Sequence, residues 1–522
     1  MANKNDFKIF GFLFLFVFIL EFWISINSYT HDLYNRIDSA IFFMSGKAWM
    51  NGMIPYVDFS DSKGPLLWLI YGIGYLFNNY NYTGIFWIEC VFYTFTFFYC
   101  YKISYLFLEN KKISLLCSII MALSFFCGAY HYETRAEDFC QLFIMSGLYY
   151  TLKVLYGSIN DKEIQVASLI VGVSFAAALL IKFTIAAMIL IFFFAIFCYI
   201  MKCKKYLIWK IFLYSFYGFF IVSLPFILYF LYFGNFFHFI NEYFIVTSHT
   251  IVGNLSLGEM LSKYIFEGWG YFANINIIKR IVIYFLMINI VLGCIYFYKK
   301  LSAFKLFPAI ITFWFICVSM YHALGYYYHS FSGFAIFPVI MYVSFFIRFK
   351  LKKRHFVLIS SIIIMIVISG NLVFTRPNFF LNKTEERKDF YYVNRILSQI
   401  HNPKLIYSFF DFGYGTPAGA LPGCKYWTCQ VGASKNMISE REHALKQQLP
   451  DFVIVCFAND FDNLIEQSGY IKYYSWITQQ GRTFLESHLY GKQGLILPSK
   501  DFQVSSMDVL LKRRIIPVKS EN

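Results

Sequence analysis

Apolar runs of similar length alternate with short polar breaks from the N-terminus to about residue 374. The runs are 8–28, 84–108, 113–130, 138–157, 164–181, 184–201, 211–233, 281–298, 306–321, 332–347 and 356–374. Each is close to the ~20 residues that cross ~30 Å of hydrocarbon, so the pattern predicts about eleven transmembrane helices. As a single helix, 164–201 would be roughly 57 Å long at ~1.5 Å per residue. It therefore predicts a hairpin at Lys182-Phe183-Thr184. The first run is longer than a signal-peptide core and reads as a first membrane span.

Two breaks are longer than turns, 29–82 and 234–279. Within the first, 37–50 and 65–77 read as short amphipathic helices lying at the membrane interface. After residue 374 the pattern changes to polar sequence with short apolar runs. Residues 405–410 and 452–457 predict buried strands, with a helix over 439–448 between them. The expected architecture is a polytopic α-helical membrane domain, 1–375, followed by a small α/β domain, 376–522.

Composition sharpens this picture. Hydrophobic residues make up 58% and charged residues only 14%, against ~25% charged in an ordinary soluble domain. A chain with 65 Phe and 42 Tyr is not disordered. The 45 Lys+Arg against 30 Asp+Glu give a net charge of +15. These bases gather in alternate breaks, at Lys111-Lys112, Lys153/Lys162, Lys202 to Lys210, Lys299 to Lys305 and Arg348 to Arg354. That is the positive-inside signature rather than a nucleic-acid footprint. It predicts a multi-pass protein of the cytoplasmic (inner) membrane with its N-terminus in the cytoplasm and 376–522 outside. Nine of the 12 Cys precede residue 376, mostly in apolar runs where Cys packs as a small hydrophobe. Cys424 and Cys429 are either bridged or free thiols.

Candidate chemistry collects in the breaks on the predicted outer face. The first long break carries Arg36-Ile37-Asp38 and then Tyr56-Val57-Asp58-Phe59-Ser60-Asp61-Ser62-Lys63-Gly64-Pro65-Leu66. Pro65 suits the first turn of a helix. A Lys ahead of a helix N-terminus is a plausible phosphate seat. His131 to Asp138 adds Glu133, Arg135, Glu137 and Asp138, and Lys182 lies at the hairpin tip.

The first break, with Lys182-Phe183-Thr184, the Tyr327-Tyr328-His329 stretch, Pro338 and a terminal soluble domain, resembles the GT-C membrane glycosyltransferases. The nearest branch is the protein O-mannosyltransferase and lipid A aminoarabinose transferase group. The resemblance implies Asp38 as catalytic base and Lys63 as a contact to the donor phosphate. Protein mannosyltransferases carry an Asp-Glu pair where this chain has Asp38-Ser39. In the aminoarabinose branch a Glu before the Lys helps hold a metal, and here that position is Ser62. A divalent metal ion stays open as a cofactor.

The implied partners are a polyprenyl-phosphate sugar donor, an envelope glycan, lipid or protein acceptor, and membrane lipid, with no nucleic acid. An inverting transfer needs a carboxylate to take the acceptor proton and cations beside the departing phosphate. Asp38 fits the first need, and Lys63, Arg135 and Lys182 the second. Asp58, Asp61, Glu137 and Asp138 are supporting acids, and Tyr328 and His329 outer-rim contacts.

Simpler roles compete for each of these residues. Asp38 could cap a helix, Lys63 could snorkel to headgroups, and Glu137 and Asp138 could complement a helix dipole. A transporter or flippase of lipid-linked saccharide is the alternative for the whole chain. It predicts ionisable groups near the midplane and internal repeats, and no repeat is visible.

Overall fold

The computed structural model describes residues 4–29, 38–125, 134–156, 160–248, 332–348, 384–408, 413–428, 435–456, 461–480 and 483–494. The helices of the membrane part are α1 (Lys4–Ile24), α2 (Asp38–Met50), α3 (Pro65–Phe77), α4 (Thr83–Leu108), α5 (Lys111–Phe125), α6 (Ala136–Tyr156), α7 (Asp161–Ile181), α8 (Phe183–Cys203), α9 (Ile208–Tyr232), α10 (Phe236–Phe239) and α11 (Ile336–Arg348). A π-helical turn, Ile240–Val246, continues α10. Eight of the expected spans coincide with α1, α4 to α9 and α11. The spans at 281–298, 306–321 and 356–374 lie outside the described residues, as do Tyr328, His329 and Cys429.

Among the described residues, five helical segments are long and apolar enough to cross a membrane: Lys4–Ile24, Thr83–Leu108, Asp161–Ile181, Phe183–Cys203 and Lys205–Tyr232. A 21-residue helix rises roughly 31 Å, the thickness of the hydrocarbon layer. Helices α7 and α9 cross closely. A Cβ on Gly172 would fall 2.1 Å from the Ser215 carbonyl oxygen, and one on Gly218 the same distance from that of Leu169. Small residues let membrane helices meet backbone to backbone, where packing supplies the attraction that lipid does not.

The chain reverses between α7 and α8 at Lys182 alone, whose backbone is extended (φ −153°, ψ 102°). At the other end of these helices Asn160 and Glu163 form a reciprocal capping box for α7. Ion pairs cluster at that end: Lys102 with Asp6 at 3.0 Å, Lys153 with Glu163 at 2.8 Å and Lys204 with Asp161 at 2.9 Å.

The expected amphipathic character of 37–50 is not what the structure has. Every residue of α2 from Ser39 to Ala48 is buried. The cause is cover on several sides. Tyr71 of α3 packs on Phe42, and Tyr229 and Phe226 of α9 pack on Trp49. Gly419 of the C-terminal part lies against Lys47. By contrast α3 leaves Ile73, Leu76 and Phe77 exposed.

The C-terminal part forms a five-stranded sheet in the order β2-β1-β3-β5-β4. Its strands are β1 (Lys404–Tyr407), β2 (Leu421–Pro422), β3 (Phe452–Val455), β4 (Ile471–Gln480) and β5 (Thr483–Gly491). Parallel pairing joins β1 to β2 and β3, whereas β5 runs antiparallel to β3 and β4. Helices α12 (Thr384–Leu397), α13 (Lys435–Lys446) and α14 (Phe461–Gln467) accompany it. The apolar runs read as strands are β1 and β3, all buried except Lys404, and α13 provides the crossover from β2 to β3.

Candidate active site

The segment 54–64 is folded by its own polar groups. Asp58 accepts from the Ile54 amide at 2.6 Å, and the Asp58 amide donates back to the Ile54 carbonyl at 2.9 Å. Asp58 thus closes its own turn and does not join the other candidate acids. Tyr56 is fully buried among Trp68, Phe230, Phe239 and Tyr243. Its φ of +66° is rare for a bulky residue and marks a strained turn. Burial, reinforced by Tyr243, Asp61 and Glu242, holds its phenol well above the ordinary range, so the hydroxyl stays protonated. It donates to the Lys63 carbonyl at 3.0 Å.

The next residues dock on the α7–α8 hairpin. The Gly64 amide donates to the Ile181 carbonyl at 3.0 Å, and a Cβ on Gly64 would fall 2.1 Å from the Leu180 oxygen. Only glycine allows this approach, and Pro65 then starts α3. Lys63 is brought beside Lys182 in this way, and both ammonium groups act on Glu137. Lys182 makes the direct ion pair with Glu137. Lys63 bonds to Ser62 Oγ at 2.8 Å, and its Nζ lies 5.6 Å from the Phe42 ring, one turn after Asp38 in α2.

Asp38 is half-buried at the first position of α2 and pairs with Arg135, Oδ2 to Nε at 3.3 Å. The Arg135 amide in turn donates to Asp138 Oδ2 at 2.7 Å. Asp38, Lys63, Arg135, Glu137, Asp138 and Lys182, from four separate stretches of sequence, therefore meet at one end of the bundle. Asp61 is 7% exposed, and its Oδ2 has no hydrogen-bond partner among the described residues.

Sequence reasoning missed three carboxylates. Glu21 and Glu89 are fully buried near the same ends of α1 and α4. Glu89 accepts from Ser25 Oγ at 2.9 Å, from Asn27 and from Thr134 Oγ1. Glu242, in the π-helical turn, receives Lys425 Nζ at 2.9 Å, the Tyr426 hydroxyl at 2.9 Å and Ser60 Oγ at 3.4 Å. The Ser60 amide also donates to the Lys425 carbonyl at 2.8 Å, so the segment 54–64 is held from the sheet side too. A lone acid inside an apolar run was the available signal, since such residues are rarely idle. No group of three or more His, Cys, Asp or Glu side chains is arranged to hold a metal among the described residues. Ser62 stands ahead of Lys63 where the aminoarabinose branch has a metal-holding Glu, and no step below passes through a metal.

Comparison with known proteins bears on the fold. The sequence profile of the dolichyl-phosphate-mannose-protein mannosyltransferase family matches residues 63–229. No curated protein matches the chain by sequence. Among solved structures, an Archaeoglobus fulgidus oligosaccharyltransferase, described as a complex with zinc and sulfate, aligns with a TM-score of 0.52 at 12% identity. The alignment covers 91% of this chain and 72% of that one. ArnT from Cupriavidus metallidurans bound to undecaprenyl phosphate aligns with a TM-score of 0.52 at 10% identity, covering 95% of this chain and 100% of the other. Its apo form gives 0.51 at 10% identity, covering 93% and 98%. The chain thus has the fold of the GT-C membrane glycosyltransferases and, over residues 63–229, resembles the dolichyl-phosphate-mannose-protein mannosyltransferases.

Proposed function

We propose that the chain is an inverting glycosyltransferase that moves a sugar from a polyprenyl-phosphate donor to an envelope acceptor on the outer face of the cytoplasmic membrane. The observation that carries this reading is the meeting of the Asp38–Arg135 pair with Lys63, Glu137 and Lys182 at one end of the bundle. The undecaprenyl phosphate named for the ArnT structure supports a lipid-phosphate donor.

In this mechanism the acceptor hydroxyl attacks the anomeric carbon from the face opposite the phosphate. The bond from that carbon to the phosphate oxygen breaks, and the phosphate leaves with the electron pair. Asp38 takes the hydroxyl proton, oriented for this by Arg135. Lys63 and Lys182 offset the charge growing on the phosphate, and Glu137 fixes the Lys182 ammonium in place. Fixed cations in a partly dry site stabilise a departing anion far better than water does. A transporter would instead gather its ionisable residues near the midplane.

The test uses purified protein in vesicles with a panel of undecaprenyl-phosphate hexoses and pentoses. Loss of the lipid-linked sugar with release of undecaprenyl phosphate is the expected result. Lys63→Ala should raise the donor KM and lower kcat, because the cation serves both bound donor and transition state. Movement of intact donor across the bilayer without cleavage would establish the transporter instead.

A further inference from the structure

Glu89 has no place in the mechanism above, yet it is a buried carboxylate that accepts hydrogen bonds from Ser25, Asn27 and Thr134 at this end of the bundle. It lies in the second turn of α4 and is 1% exposed. Donors to it come from other segments: Ser25 and Asn27 follow α1, and Thr134 precedes α6. Such a set satisfies a buried carboxylate that would otherwise be costly.

The arrangement around Thr134 has a direction. While its hydroxyl donates to Glu89, its carbonyl accepts from Ser39 Oγ at 3.1 Å and from the Tyr71 hydroxyl at 3.0 Å. Ser39 is the neighbour of Asp38, and Thr134 is the neighbour of Arg135. The two residues of the Asp38–Arg135 pair are thus tied together a second time through the residues beside them. Glu89 holds the Arg135 side of that double tie.

We propose that Glu89 is a positioning residue of this site: it anchors Thr134 so that Arg135 presents Asp38 to the acceptor hydroxyl. The proposal rests on the glycosyltransferase reading. Glu89 is bonded to Ser25, Asn27 and Thr134, so its removal should act on turnover through Arg135 and leave the phosphate seat at Lys63 and Lys182 intact.

The experiment is a coupling measurement on purified protein, with undecaprenyl phosphate binding and single-turnover transfer from the donor panel as readouts. Glu89→Gln keeps the shape but turns an amide NH₂ toward a group of donors. It should lower the transfer rate at least about tenfold and change undecaprenyl phosphate affinity less than about twofold. Thr134→Val should do the same, and Thr134→Ser should retain most of the rate. This pair carries the test if Glu89→Gln fails to fold. In an Asp38→Asn background, Glu89→Gln should cost less than a further twofold, because the route through Asp38 is already lost. Full activity in Glu89→Gln, equal rates in the two Thr134 variants, or multiplicative losses in the double variant would each overturn the role. If wild-type protein cleaves none of the donors, the functional reading falls and this role with it.

Discussion

Lys47 and Asp38 stand at opposite ends of one helix and respond to different tests. Lys47 is 2% exposed, its amine has no hydrogen-bond partner among the described residues, and desolvation pushes its pKa down to about 7. In the unfolded chain the amine titrates near 10.5. Below about pH 7 both states carry the proton, and the penalty for a buried charge is fully present. Between about 7 and 10.5 only the unfolded state holds it, so this residue makes stability rise with pH. Thermal unfolding in detergent should show the wild-type midpoint gaining on that of Lys47→Met as pH goes from 7 to 9.5. At pH 6 the Met variant should be the more stable of the two. A less stable Lys47→Met at pH 6 would mean that the ammonium has an anionic partner. For Asp38 the competing roles are base and helix cap. Asn caps as well as Asp but accepts no proton at neutral pH. Asp38→Asn should keep its folded yield and lose at least ~100-fold in turnover, within the ~10²–10⁴ that general-base catalysis contributes. Near-normal turnover in folded protein would remove the base.

Elements were read from the sequence where periodicity alone fixes them. The reversal at Lys182 followed from the length of 164–201, and β1 and β3 from short apolar runs in polar surroundings. The burial of α2 was not legible, because its cover comes from α3, α9 and the residues around Gly419, and no local pattern reports partners so distant. Nor were the roles of Glu89 and Glu242, whose bonding partners lie 45 to 64 and 182 to 184 residues away. The Lys63-Gly64-Pro65 motif was legible as a turn, but its contact with the hairpin was not. That contact makes Gly64 the most demanding residue of the element. Gly64→Ala would drive a methyl into the Leu180 carbonyl, a clash of the overpacking kind that costs ~1–3 kcal/mol or more. It should abolish transfer with Lys63 still present, and circular dichroism should show the helices retained. Wild-type transfer by Gly64→Ala would mean that the turn does not need the hairpin.

At the scale of the whole molecule, the bases of the described helices gather at the end opposite the site. On the positive-inside rule we propose that the site and the sheet lie on the outer side of the membrane. Gln447 is exposed at the end of α13. Gln447→Cys, with the exposed Cys198 and Cys203 replaced by Ser, should react with an impermeant thiol reagent in intact cells. Labelling only after lysis would reverse the orientation. The bond between Ser60 and Lys425 also has a consequence for how the protein is made. A ribosome produces the segment with Lys63 early, and the hairpin that receives Gly64 about 120 residues later. The residue that grips Ser60 emerges more than 350 residues after it. Until Lys425 is in place, the segment is fastened at one side only. A nascent or prematurely terminated chain would therefore sit in the membrane with its helices paired and its reactive groups unset. On the proposed function, sugar transfer would begin only once the sheet is complete, and half-built copies would not consume the lipid donor.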